Sequence, residues 1–194
     1  MAFISSLISN LGNKLQTNLF ELWGGAPTTV VMRYSNSLLD KYTKERYHQW
    51  LNSKISNLQM PSYEEEKSDP EDADQKYHSA TNFLREFTRD KKKYSTIYYD
   101  NVTYGFARNL LAIRCFGFVV ATISIVINGY FILSLLQDEV SIDKNILIGN
   151  LFGIGSGFVS IVFMLTFLLI INNEFVKQRA FRYAKSLFEV CELN

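Results

Sequence analysis

The side chains that could carry chemistry are few, and their spacing argues against most of it. His48 lies in a segment of helical spacing with no second His, Cys or carboxylate where a metal ligand would require one. It is expected as a packed or solvent-facing histidine. Gly24-Gly25-Ala26-Pro27-Thr28-Thr29 has the composition of a phosphate-binding turn but neither a following Gly-Lys-Ser/Thr nor a G-x-G-x-x-G spacing. A turn with Pro27 fixing φ is expected there, leading into a short extended or helical piece from which Arg33 and Tyr34 project. The acidic run Glu64, Glu65, Glu66, Asp69, Glu71, Asp72, Asp74 could gather calcium, yet it lacks the D-x-D-x-D-G loop closed by Glu. It reads instead as a solvated loop and a helix start, with Asp69 as cap and Pro70 as first helical residue. G-x-S-x-G, H-E-x-x-H and Cys-x-x-Cys are all missing, and an active site built from Arg33, His48 and the acidic run has no spacing to support it. The chain is therefore expected not to be an enzyme, with no catalytic residue, cofactor or metal ligand assigned.

The polar residues with a readable pattern are embedded in two apolar runs, 115–136 and 146–171, neither of which contains a charge. Each exceeds the roughly 18 to 20 residues that cross a hydrocarbon core of about 30 Å. Two transmembrane helices joined by a short loop are expected. In the first, Gly117, Ala121, Ser124 and Asn128 fall on one helical face; in the second, Gly149, Gly153, Ser156, Gly157 and Ser160 do the same. Helices in lipid associate through such faces, because small residues let backbones approach and hydroxyls or amides bond across. These nine residues are the expected helix–helix interface, shared between packing within one hairpin and assembly of a homo-oligomer through the repeated Gly-xxx-Gly of the second run.

Orientation follows from Lys and Arg. Arg108 and Arg114 precede the first run and Lys177, Arg179, Arg182 and Lys185 follow the second, whereas the loop carries Asp138, Glu139 and Asp143 against Lys144. The positive-inside bias puts both termini in the cytoplasm and the loop outside, in a multi-pass protein of the cell (inner) membrane. Cys115 and Cys191 then stay reduced, and the Asn101-Val102-Thr103 sequon stays unglycosylated. The first residues lack the charged start of a signal peptide. With 20 Lys and Arg against 19 Asp and Glu, a net charge of +1 argues against a nucleic-acid partner.

The fold expected is mainly α: a cytosolic helical domain over 1–107, the hairpin region over 108–171 and an amphipathic helical tail over 172–194. Phe3 to Leu22 has the stripe of an amphipathic helix packed against the domain, ending at Gly24-Gly25. A second helix is expected from Asn36 or Ser37, burying Leu38, Leu39, Tyr42, Arg46, Tyr47 and Trp50, with Lys44 toward solvent. A third is expected from Pro70 to about Arg89. Lys91, Lys92, Lys93, Tyr98, Tyr99 and Tyr104 are read as a membrane-interface belt and hinge, together with Arg108, Arg114, Lys177 and Arg179. The second membrane helix is expected to run unbroken into the tail.

The patterns ELWGGAPTT, DPEDADQKY and YGFARNLL leading into a membrane hairpin resemble the layout of small two-span bacterial membrane proteins of anti-phage defence operons. That resemblance implies a cytosolic sensing or docking domain whose activation reorganises a membrane assembly. A non-enzymatic, oligomeric effector is expected, with the lipid bilayer, copies of itself and a cytosolic protein or nucleotide signal as partners. The alternative is a membrane-anchored scaffold that recruits a cytosolic partner.

Overall fold

The computed structural model describes residues 2–137 and 144–192. The chain is mainly helical, and no strand occurs among the described residues. Helix α1 (Ala2–Leu22) stops where Gly24 and Gly25 take φ of +77° and +137°, a region that L side chains rarely enter. Pro27 then opens the short helix α2 (Pro27–Met32), all of it buried. Helix α3 (Lys41–Lys54) starts later than the sequence suggests, because Asp40 accepts from the Thr43 N–H at 3.0 Å and sets the first turn. In the acidic run a Ser62/Glu65 capping box builds helix α4 (Tyr63–Ser68), and Asp69 with Pro70 starts α5 (Pro70–Phe87) as expected.

Helix α6 (Ser95–Ala112) occupies the stretch expected as an aromatic hinge. Ile97, Asp100, Tyr104 and Ala107 recur at three and four residues and are buried, so this is a core helix. Helix α7 (Arg114–Gln137) continues it almost without interruption: Ile113 N–H reaches Asn109 O at 3.2 Å and Gly117 N–H reaches Ile113 O at 2.9 Å. Helix α8 (Lys144–Leu165) returns beside α7 and ends in a π turn, Thr166–Ile170. Helix α9 (Asn173–Phe188) and a closing 3-10 turn (Glu189–Glu192) complete the chain.

The second helix does not run unbroken into the tail. Ile171 and Asn172 are extended, and the axis bends by 71° between Gly155–Ile170 and Asn173–Glu192. The cause is local: Asn172 Oδ1 accepts from the Phe175 N–H at 2.9 Å and caps a new helix, with Glu174 in its first turn. The bend turns α9 back into the N-terminal helices, where Val176, Ala184, Leu187 and Phe188 are wholly buried. Residues on both sides of the apolar hairpin thus share one core. Asp100 on α6, almost fully buried, ties the two parts by accepting from Ser186 Oγ at 2.5 Å and pairing with Arg182 Nε at 3.1 Å.

Helices α1 and α6 run antiparallel at close range. Gln16 accepts from Tyr104 Oη at 3.2 Å and from Arg108, and a Cβ on Gly12 would overlap the Asn109 side chain. Gly12→Val is therefore expected to destabilise the bundle by about 1–3 kcal/mol, the usual cost of overpacking. Thermal unfolding of the whole chain in detergent reads it as a lowered Tm.

Candidate functional site

The site is built from the hairpin seam outward. Ser124 Oγ and Ser160 Oγ lie 2.7 Å apart, and Ser156 Oγ donates to Asn128 Oδ1 at 2.7 Å, while Asn128 Nδ2 donates back to Ser124 O at 2.7 Å. Gly117 meets the Phe167 ring, and Ala121 between these contacts is buried. The pairs 117/167, 124/160 and 128/156 share one antiparallel register. A chain of hydrogen bonds thus joins α7 to α8 along the face that the small residues mark, and these polar groups satisfy one another, with Ser156 at the exposed edge of the seam.

The glycines of the second run divide. A Cβ on Gly157 would sit at ordinary contact distance, 3.6 Å, from Asn128 Cβ, so Gly157 belongs to the seam. A Cβ on Gly153 or Gly155 would meet nothing within 4 Å. Gly149 lies outside the residues whose side chains are described, as do loop residues Asp138, Glu139 and Asp143.

Outside the seam the hairpin is bare. Phe116, Val120, Ile127 and Phe131 on α7 and Phe158 and Phe163 on α8 are exposed. Among the described residues one helix, over Arg114–Ser134, is by itself long and apolar enough to cross a membrane, and only 6% of its apolar stretch is buried. Gly155–Ile170 meets those limits only together with Asn173–Glu192, across the bend.

Arg114 sits at the root, its Nε donating to Phe167 O at 2.7 Å and its Nη2 to Leu168 O at 2.9 Å, carbonyls that the π turn frees. Arg108, Lys177 and Arg179 lie within two turns of the same root, Arg179 over the Phe175 ring at 3.6 Å. Lys91, Lys92 and Lys93 do not gather there. They precede α6, whose length at about 1.5 Å per residue places them some 25 to 30 Å along the rod from Arg114. Tyr98 and Tyr99 are exposed near that distant end, and Tyr104 is buried against α1.

The first turns of α1 are a feature the sequence did not reveal. Of the expected stripe Leu15 and Leu19 pack against the core, joined by Phe20, but Phe3, Ile4, Leu7, Leu11 and Leu22 are exposed. Since Gly12 is level with Asn109 and α1 runs antiparallel to α6, this uncharged end reaches past the level of Arg114.

Arg33, His48 and the acidic run do meet, in a partly buried network that spacing alone could not show. Arg33 holds Asp74 with two bonds of 2.8 and 2.5 Å, and Glu66 accepts from the Tyr34 N–H at 3.0 Å and from Tyr77 Oη at 2.5 Å. Lys44, expected in solvent, is buried instead: its ammonium donates to Arg33 O at 2.6 Å and to Asn36 O. Tyr34 Oη lies 3.4 Å from His48 Nδ1, and His48 Nε2 has no partner within hydrogen-bond geometry. Helix α3 accordingly buries Lys44, Tyr47, His48 and Leu51 and leaves Tyr42 and Arg46 exposed, as is Leu38 ahead of it. Every bond in this set lies among the N-terminal helices and the link between α2 and α3. Burial also holds the Cys191 thiol up at about 12, far from the reactive range.

Comparison of the chain with protein-family models, curated proteins and solved structures returns no match.

Proposed function

We propose that the protein is a non-enzymatic, oligomeric effector of the cell membrane, whose helical bundle receives a signal or partner and whose hairpin then perturbs or permeabilises the bilayer. The observation that carries this reading is the bare hairpin with a polar seam inside it. Each large apolar side chain left in water forgoes about 1.5–3 kcal/mol relative to burial, so an exterior of Phe116, Val120, Ile127, Phe131, Phe158 and Phe163 calls for lipid. In that setting α7 and α8 are two spans, Arg108, Arg114, Lys177 and Arg179 lie on the cytoplasmic side, and the apolar end of α1 lies in the same leaflet. The likeness in layout to two-span proteins of anti-phage operons agrees with a role in defence.

Assembly follows from which small residues the seam leaves unused. Ser124, Asn128, Ser156 and Ser160 bond within one chain, whereas Gly153 presents open backbone on which a second copy can pack. The two hairpin roots differ, α7 being continuous with α6 and α8 joined to α9 by a bend. A shift of α6 against α9 in the bundle therefore moves one span relative to the other.

Inducible expression with a membrane-potential dye tests the proposal. Depolarisation is expected from the wild-type chain, at least tenfold less from Gly153→Leu at equal membrane content. Unchanged potential, or full activity in that variant, removes the effector reading. A groove of about 600 Å³ lined by Trp23, Leu38 and Phe181 favours a second reading, a membrane-anchored scaffold with a cytosolic partner. An unrelated hairpin should then substitute without loss of function.

A further inference from the structure

We infer that the open cleft between α1, α5, α6 and α9 is a binding site for a phosphate-bearing anion. Its volume is about 530 Å³, and Gln16, Phe20, Tyr98 and Tyr104 line it together with four cations, Arg85, Arg89, Lys91 and Arg108. Among the described residues no carboxylate lines it. The size falls within the range of small-molecule pockets, about 300–1,000 Å³.

The charges are what set this cavity apart. Arg89 is matched by Glu86 at 3.2 Å, both largely in solvent. Among the described residues Arg85, Lys91 and Arg108 have no carboxylate partner. The nearby Asp100 is turned away, committed to Ser186 and Arg182. The last turn of α5 accounts for Arg85, since a helix C-terminus favours cations, but Arg108 comes from another helix and Lys91 from the turn between them. Like charges converging on one cleft repel, and an anion placed among them relieves that repulsion while collecting charge-assisted hydrogen bonds. Phosphate suits the donor set, because guanidinium forks match its oxygens.

Aromatic faces define the rest of the ligand. Lys91 Nζ lies 4.7 Å from the Tyr98 ring centre and the Arg108 guanidinium 5.8 Å from that of Tyr104, so cations and rings alternate along the wall. The Arg108 end is some two turns from the hairpin root, within reach of a lipid headgroup, while the Lys91 end opens away from it. A nucleotide or an anionic phospholipid offers the same chemistry. The inference rests on the proposed function only for what binding triggers; binding itself is read separately.

The test uses the full chain in nanodiscs of phosphatidylcholine, titrated with ADP by calorimetry, and in nanodiscs containing phosphatidylglycerol, with retained lipid counted by native mass spectrometry. Arg85 is exposed and unpaired, so Arg85→Glu should keep the fold, which an unchanged Tm verifies; Arg85→Gln gives the milder change. Lys67→Glu, on exposed α4, makes the same change in net charge away from the cavity. ADP binding weakened at least tenfold by Arg85→Glu and not by Lys67→Glu supports the site with a soluble ligand. Phosphatidylglycerol retention with that same variant pattern, and no ADP binding, supports it with a lipid. Absence of both, or equal loss in the Lys67 variant, overturns it while leaving the membrane-potential result untouched.

Discussion

Acidification from pH 7 to pH 4 is expected to cost the bundle about 3 kcal/mol through one side chain, His48. Burial pushes its imidazole from the ordinary 6.5 down to about 4, the Pro61 backbone pulling the other way and Lys44 adding a smaller repulsion. The ring lies among Tyr34, Tyr77 and Lys44, and no acid touches it to stabilise a charge. In the unfolded chain the imidazole takes a proton below about 6.5, whereas in the bundle it stays neutral until about 4. Between those values the unfolded state binds more protons, so stability rises with pH and is lost as pH falls through the window. It is fully present above pH 6.5. The measurement is urea unfolding of the full chain in detergent from pH 4.5 to 7.5, wild type against His48→Gln. The variant should flatten the slope across this window whatever its absolute stability. The same slope in both would show that His48 does not stay neutral in the bundle. Asp40 and Glu65, whose carboxyls are held low by Thr43 and Ser62, act at lower pH and are common to both proteins.

What the sequence disclosed and what it withheld divide along contact range. Helices α1 and α5 and the apolar runs were legible because their signals are local: periodic apolar stripes, Gly24-Gly25 as a stop, Asp69-Pro70 as a start. The face of α3 was not, because Lys44 is buried by carbonyls of Arg33 and Asn36 that only the folded link presents to it. Arg33 and Asp74 stand 41 residues apart, and nothing in their neighbourhoods announces the pair. The hinge reading of 94–106 failed for a different reason. Tyrosines next to a span suit an interface, yet Ile97, Tyr104 and Ala107 also form a helical stripe, and α1 and α9 supply the core to bury it. The break before α9 carried a readable sign in Asn172-Asn173-Glu174, a capping sequence hidden by the apolar residues ahead of it. In the hairpin, small-residue spacing did reveal the face that pairs, but not which glycines face outward, since that depends on the register of both helices.

That register makes the strongest structural prediction. In a chain carrying Cys115→Ser and Cys191→Ala, Ser124→Cys with Ser160→Cys is expected to form a disulfide within one chain upon mild oxidation. The two hydroxyl oxygens are 2.7 Å apart, so the Cβ atoms stand near the 3.5–4.5 Å that a disulfide spans. Ser134→Cys with Ser160→Cys, ten positions out of register and about 15 Å away along the helix, should stay reduced. A crosslink at twice the chain mass from the first pair would place this seam between copies instead of within one, and would remove the reason for assigning assembly to Gly153. Adding Gly117→Val should then suppress the intrachain crosslink several-fold. A Cβ there comes within 2.6 Å of Cε2 of Phe167, the residue whose own carbonyl Arg114 holds, and the overpacking costs about 1–3 kcal/mol. Because the ring belongs to the π turn at the base of α8, the clash pries α7 and α8 apart at the root while leaving Ser124 and Ser160 themselves unaltered. Loss of membrane depolarisation in the same variant, with the bundle still folded, would show that the root passes the bundle's state to the hairpin.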